Sequence, residues 1–102
     1  MEINYSKIYF IGIGGIGMSA IALYFLNRGK FVGGYDKTKT DLTLSLSNKG
    51  ALINYEQKLN KIPSEFKDST NTLVVYTPAI PIDNILLDYF LKNDFDVLKR
   101  AQ

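Results

Sequence analysis

The stretch Lys7–Ser19, KIYFIGIGGIGMS, constrains this chain more than any other part of it. A short apolar, β-rich run gives way to glycines at 12, 14 and 17, the spacing G-x-G-x-x-G, and then to a helical pattern. Strand, glycine turn and helix in that order present backbone N–H groups and the positive end of a helix to a diphosphate. Each glycine has its own task. Gly12 permits the tight turn out of the strand, Gly14 lets the backbone approach a diphosphate, and Gly17 lets the helix pack closely on the sheet. Gly15 opens the loop further than the motif requires. A glycine turn without a ligand is the competing reading, but the order of the elements favours phosphate.

The remainder of the chain alternates strands with helices, which predicts an α/β, Rossmann-like three-layer domain on a parallel sheet of about five strands. The first strand is expected at about 7–12 and its helix at about 16–28, with Met18, Ala22 and Phe25/Leu26 on one face and Gly29 just past the end. A second strand, Phe31–Tyr35, closes at Asp36. A polar loop, Lys37–Thr40, supplies a candidate N-cap for a helix at about 41–49, which carries Leu42, Leu44 and Leu46 and stops at Gly50. The third strand is Ala51–Tyr55. A short helix is expected at about 61–67, after which Thr72–Tyr76 reads as a central parallel strand. A helix at about 83–92 is expected to open on Asp83 and to pack Ile85, Leu86, Tyr89 and Phe90 in the core. A last strand falls near Asp96–Leu98.

Composition removes whole classes of chemistry. The 102 residues suit one domain with one core. No cysteine is present, so there are no disulfides or thiolate metal sites, which fits the cytoplasm. No histidine is present either, which removes the commonest general base and metal ligand. A net charge of +2 points to neither nucleic acid nor membrane. The opening segment Met1–Ser6 lacks the basic and long apolar regions of a signal peptide. There is no G-x-x-x-x-G-K-[ST], because Asp36 stands before Lys37 where a glycine would be needed. No nucleophile–base set or metal cluster stands out. Binding without turnover is the expectation, with no cofactor of the domain's own.

Beyond the glycines, the candidates sit at strand ends. Ser19, in the first helical turn, can donate to a phosphate or bond locally. Asp36 follows Gly17 by 19 positions, near the spacing of about 20 at which a carboxylate accepts from ribose hydroxyls. Lys37 and Lys39 can each meet a 2′-phosphate, another phosphate or only water, with water favoured for Lys39. Thr77 ends the fourth strand beside the crevice where α/β sheets bind ligands, and Thr77–Pro81 forms a stiff loop there.

The longer phrase GIGGIGMSAIA, residues 12–22, is far more specific than its three glycines. It resembles the opening of the bacterial muramyl (Mur) ligases. Gly34-Tyr35-Asp36, Leu73–Pro81 and Val97–Gln102 agree in register, so the likeness spans nearly the whole chain. The resemblance implies a three-domain enzyme. Its first domain grips the UDP part of the substrate, its second binds ATP and magnesium, and its third helps bind the amino acid. The substrate carboxyl is activated as an acyl phosphate and attacked by an amine. The chain is then expected to be the first domain only, inactive alone and partnered by the missing domains. UDP-N-acetylmuramate is the implied ligand and L-alanine the implied amine.

Carried over by position, Gly12, Gly14, Gly15, Gly17, Met18 and Ser19 face the diphosphate. Asp36 holds the ribose or uracil side, and Lys37 beside it is a further substrate-binding candidate. Thr77, Ala79 and Ile80 line the uridine or sugar end. Relatives often carry Ser where Thr77 stands, and many carry a histidine after the third strand where Tyr55-Glu56-Gln57 has none; Gln57 is a substitute hydrogen-bonding group. Three readings stay open. The residues alone suit an NAD(P)-binding dehydrogenase domain. The resemblance favours a UDP-sugar-binding ligase domain, either of the alanine-adding member or of the member that recycles a tripeptide onto the same UDP-sugar. A ligand-free interaction module is the third.

Overall fold

The computed structural model describes residues 4–100. Residues 1–3, part of the opening segment, and 101–102, which end the last matched phrase, lie outside them. The elements run β1 (Lys7–Ile11), α1 (Ile16–Asn27), β2 (Phe31–Tyr35), α2 (Asp41–Asn48), β3 (Leu52–Asn54), β4 (Thr72–Tyr76), α3 (Ile85–Lys92) and β5 (Asp96–Lys99). The sheet order is β3-β2-β1-β4-β5, and every pairing is parallel. The expected α/β architecture is therefore the observed one. The chain moves outward from β1 through β2 to β3, then crosses back to β4. The sheet thus reverses direction between β1 and β4, which creates the topological switch point at which such sheets bind ligands.

Strand β1 explains the two cores. Its side chains alternate between sheet faces, as the pleat requires. Ile8 and Phe10 enter a cluster with Met18, Ala22, Phe25, Val32 and Leu46, beneath α1 and α2. Tyr9 and Ile11 enter the other, with Phe66, Val74, Leu86, Leu87 and Phe90, beneath α3. A strand apolar at nearly every position is what a sheet covered on both faces demands. Tyr9 keeps its hydroxyl paired by donating to Asn54 Oδ1 at 2.7 Å, and burial pushes its pKa upward.

Helix ends follow local chemistry. Helix α2 starts on Thr40, whose Oγ1 accepts from the Thr43 N–H, while Thr43 Oγ1 accepts from the Thr40 N–H. This reciprocal pairing satisfies two otherwise orphaned donors. Helix α1 ends ahead of Gly29, whose φ of +75° suits glycine. Of the three leucines of α2, only Leu46 is buried.

Two expectations needed correction. The helix expected at 61–67 is two single 3-10 turns, Leu59–Lys61 and Ser64–Lys67, separated at Pro63. Proline removes the N–H that a continuous helix would use. The second turn delivers Phe66 onto β2, where its ring fills the place a side chain on Gly33 would take. The other correction concerns α3. Asp83 does not cap it; Asn84 does, its Oδ1 accepting from Leu86 and Leu87 at 2.9 and 3.1 Å. The Asn84 N–H closes a turn onto Pro81 O, which turns the buried Asn84 side chain, not the exposed Asp83, toward the helix start. Starting the helix there leaves Ile85 half exposed and puts Leu87 in the core beside Leu86 and Phe90.

Candidate functional site

A cleft of about 470 Å³ opens at the switch point. The turn after β1 contributes Gly12 and Gly15, and the end of β2 contributes Tyr35, Asp36 and Lys37. Thr77, Ala79, Ile80, Pro81 and Asn84 come from the loop after β4, and Gln57 comes from the segment after β3. All these residues follow the carboxyl ends of parallel strands, so the topology gathers them on one edge.

The glycine turn is built by β2. Gly12 adopts φ +91°, a conformation costly for residues with a Cβ. Its N–H and that of Ile13 both donate to Tyr35 O, at 2.8 and 3.0 Å. Gly14 N–H donates to Asp36 Oδ2 at 2.8 Å, while Thr38 N–H donates to Oδ1 at 3.0 Å. The carboxylate thus ties the loop after β2 to the glycine turn. A Cβ on Gly14 would stand 2.8 Å from that oxygen and 3.0 Å from Thr43 Cγ2. Gly14 is required by Asp36 itself, before any ligand is considered.

Helix α1 begins on Gly15, which provides no side-chain cap. The N–H groups of Ile16, Gly17 and Met18 have no intrahelical acceptor by helix geometry. They form a donor cluster at the positive end of the helix, suited to an oxyanion. Across the cleft, the two loops touch: a Cβ built on Gly12 would meet Ile80 Cδ1 at 3.2 Å and Thr77 Oγ1 at 3.9 Å.

Several sequence expectations take a different form in the structure. Met18 is 1% exposed and belongs to the core, so its backbone and not its side chain faces the helix start. Ser19 is buried, and its Oγ donates to Ile16 O at 3.0 Å. It lines a separate, shallower groove with Ile16, Leu23 and Leu42 between α1 and α2. This is the local bond open to a serine in a first helical turn. At Gly17 the nearest neighbour is a side chain from the far edge of the sheet. The atoms a Cβ there would meet first are those of the Arg100 guanidinium, with Cζ at 2.6 Å. Lys39 sits over the Tyr55 ring, its Nζ 5.7 Å from the centroid, and is not part of the cleft.

Asn84 and Tyr35 line the cleft and were missed by sequence reasoning, as was Arg100, which does not line it but sets its guanidinium against Gly17 at the start of α1. Arg100 directly follows β5, its N–H donating to Tyr76 O at 2.7 Å. The signal was available: in a parallel sheet, any residue just past a strand lands on the ligand edge. Gln57 is present as expected, but its Oε1 accepts from Ile85 N–H at 2.7 Å.

Among the described residues, no group of three or more His, Cys, Asp or Glu is arranged to hold a metal ion, and no helix is long and apolar enough to cross a membrane. The Mur ligase family, catalytic domain, matches residues 7–102. The UDP-N-acetylmuramate–L-alanine ligase of Phocaeicola vulgatus is 50% identical over all of this chain and 22% of its own length. That of Parabacteroides distasonis is 52% identical with the same coverage. Among solved structures, the UDP-N-acetylmuramate-alanine ligase MurC of Thermotoga maritima superposes with a TM-score of 0.79 at 33% identity, over 92% of this chain and 20% of that one. The chain spans about a fifth of the length of these relatives.

Proposed function

Since the chain belongs to the Mur ligase family, we propose that its cleft binds the uridine diphosphate end of UDP-N-acetylmuramate, as the first domain of the ATP-dependent ligase that adds L-alanine. The observation that carries this reading is the uncapped start of α1 on the glycine turn, open to a cleft at the sheet's switch point. A diphosphate gains there from three backbone donors and the helix dipole. The Arg100 guanidinium, seated on Gly17, adds a full positive charge to the same helix end. Asp36, already fixed by two backbone N–H groups, has lone pairs left for ribose hydroxyls. Thr77, Ala79 and Ile80 wall the far side.

The domain's contribution to the ligation is positional. Gripping the nucleotide end spends binding energy remote from the reacting carboxylate and restricts where that carboxylate points. ATP and magnesium supply carboxyl activation in this family reading. Neither a P-loop nor a metal-binding cluster occurs among the described residues, so the further domains would hold them. A bacterial cytoplasmic setting goes with the nucleotide-sugar ligand.

One observation favours a second reading. A carboxylate at the end of β2 beside G-x-G-x-x-G also suits the ribose of NAD. An NMR titration of the labelled domain separates the two. With UDP-N-acetylmuramate the expected shifts fall on Gly14, Gly15, Gly17 and Thr77 amides, and NADH leaves them unmoved. Shifts with NADH alone would overturn the ligase reading.

A further inference from the structure

Behind the glycine turn stands Thr43, the third residue of α2. It is 0% exposed and does not line the cleft. Its hydroxyl is saturated. Oγ1 accepts from the Thr40 N–H at 2.9 Å and from the Tyr55 hydroxyl at 2.8 Å, and it donates to Thr40 O at 3.0 Å. One donor and two acceptor sites are all that a hydroxyl has, so nothing polar is left over for a ligand. The methyl group has a different neighbour. The place that a Cβ on Gly14 would take lies 3.0 Å from Thr43 Cγ2 and 2.8 Å from Asp36 Oδ2. On that side Gly14 therefore meets one polar and one apolar stop. The carboxylate draws the Gly14 N–H toward α2, and the methyl group limits how far the turn can follow.

We propose that Thr43 is a positioning residue for nucleotide binding: its methyl group sets where the glycine turn rests, while its hydroxyl ties the start of α2 to the end of β3. The inference rests on the nucleotide reading above and adds to it a residue that never touches the ligand. Groups that bind a ligand must be held to within about 0.5 Å by neighbours whose own rotamers are locked. Thr43 is such a neighbour, because its three hydroxyl bonds reach two different parts of the chain. Gly14 directly precedes Gly15, on which α1 begins. A shift of Gly14 therefore alters the approach to the free N–H groups of that helix. The two halves of one side chain do separate work, and substitution can take them apart.

The test pairs thermal melting with a calorimetric titration by UDP, run well below the melting temperature, on the unmodified chain, Thr43→Ser and Thr43→Val. Serine keeps all three hydroxyl bonds and loses only the methyl group. The turn then settles into the vacated space, and binding must reverse that settling at about the worth of one methyl group's packing. UDP affinity should fall about fourfold. Valine, stiff at χ1 in a helix, keeps a methyl group against Gly14 and loses the bonds. Its melting temperature should fall further than that of Thr43→Ser, because the Tyr55 hydroxyl and the Thr40 N–H lose their partner, while its UDP affinity stays near that of the unmodified chain. Stability and affinity thus rank the two variants in opposite order, which a merely structural role would not do. Tyr55→Phe removes one bond and no methyl group, so it should follow the valine pattern more weakly and stands in for it if Thr43→Val does not fold. Affinities that track the melting temperatures, or a Thr43→Ser variant of unchanged affinity, would overturn the proposal and leave the uridine diphosphate reading standing. An unmodified chain that binds no UDP overturns both.

Discussion

The two loops that face each other across the cleft are held in different ways. The turn after β1 is tied from outside: Gly12 and Ile13 donate to Tyr35 O, and Gly14 donates to Asp36. The loop after β4 holds itself, through turns from Ile80 N–H to Thr77 O and from Asn84 N–H to Pro81 O, and through two prolines. The first loop's shape depends on residues of the neighbouring strand, whereas the second's is local. Substitutions in the first therefore reach stability and binding together, and those elsewhere can separate the two.

The largest break is expected from Gly14→Val. Its side chain must enter the space of Asp36 Oδ2 and Thr43 Cγ2. Overpacking of this kind costs about 1–3 kcal/mol, and the displaced turn should lose detectable UDP-N-acetylmuramate binding. Thermal melting and titration read both effects, and a folded variant of unchanged affinity would contradict the coupling. Next comes Asp36→Ala, which leaves two N–H groups without their acceptor and removes the ribose contact. A stability loss of about 1 kcal/mol and roughly tenfold weaker binding are expected. Lys39→Ala, outside the cleft, should change affinity by less than about twofold, the scale of an exposed cation contact. Equal effects of the two substitutions would remove Asp36 from the site.

Gly17→Ala sharpens the contrast by separating fold from binding. The new methyl group first meets the far end of a flexible arginine, and alanine is the better helix former by about 0.5–1 kcal/mol. The melting temperature should hold or rise, while diphosphate affinity falls several-fold as Arg100 is pushed off the helix start. Arg100→Gln should reproduce the affinity loss and flatten its salt dependence; no change in either variant would sever Arg100 from the diphosphate. The smallest effect belongs to Asp68, in the turn before β4. Asn71 foremost, with the Thr70 N–H and Lys7, holds its carboxyl below the ordinary carboxylate range. A lowered folded-state value means its stabilisation is complete above the ordinary range and fades as pH falls through the lowered one. Asp68→Asn should flatten the acid limb of the stability profile and leave nucleotide affinity unaltered. An acid limb identical to that of the unmodified chain would assign the effect to other carboxyls.

Much of the fold was legible because this sheet is covered on both faces. Strands β1 and β4 read as unbroken apolar runs, and Gly29 and Gly50 punctuate the helices. The cleft's outline was legible too, since Asp36, Lys37, Thr77, Ala79 and Ile80 all follow strand ends and all line it. The start of α3 was misread because Asp83 and Asn84 are both good caps. Only the turn onto Pro81 chooses between them. The motif names the positions of Met18 and Ser19 but not the direction of their side chains around the helix, which packing sets: Met18 points into the core and Ser19 bonds Ile16 O.

The sequence by itself determined the order of elements, the parallel sheet and the glycine turn at its switch point, because periodicity and glycine placement are local properties of the chain. Tertiary structure alone decided what each glycine makes room for: Asp36 against Gly14, Arg100 against Gly17, Phe66 against Gly33. It also decided which way the Gln57 amide is turned, through a bond to Ile85. Those contacts join residues from different strands and helices. No window along the chain contains both partners, so only the packed sheet brings their atoms within reach.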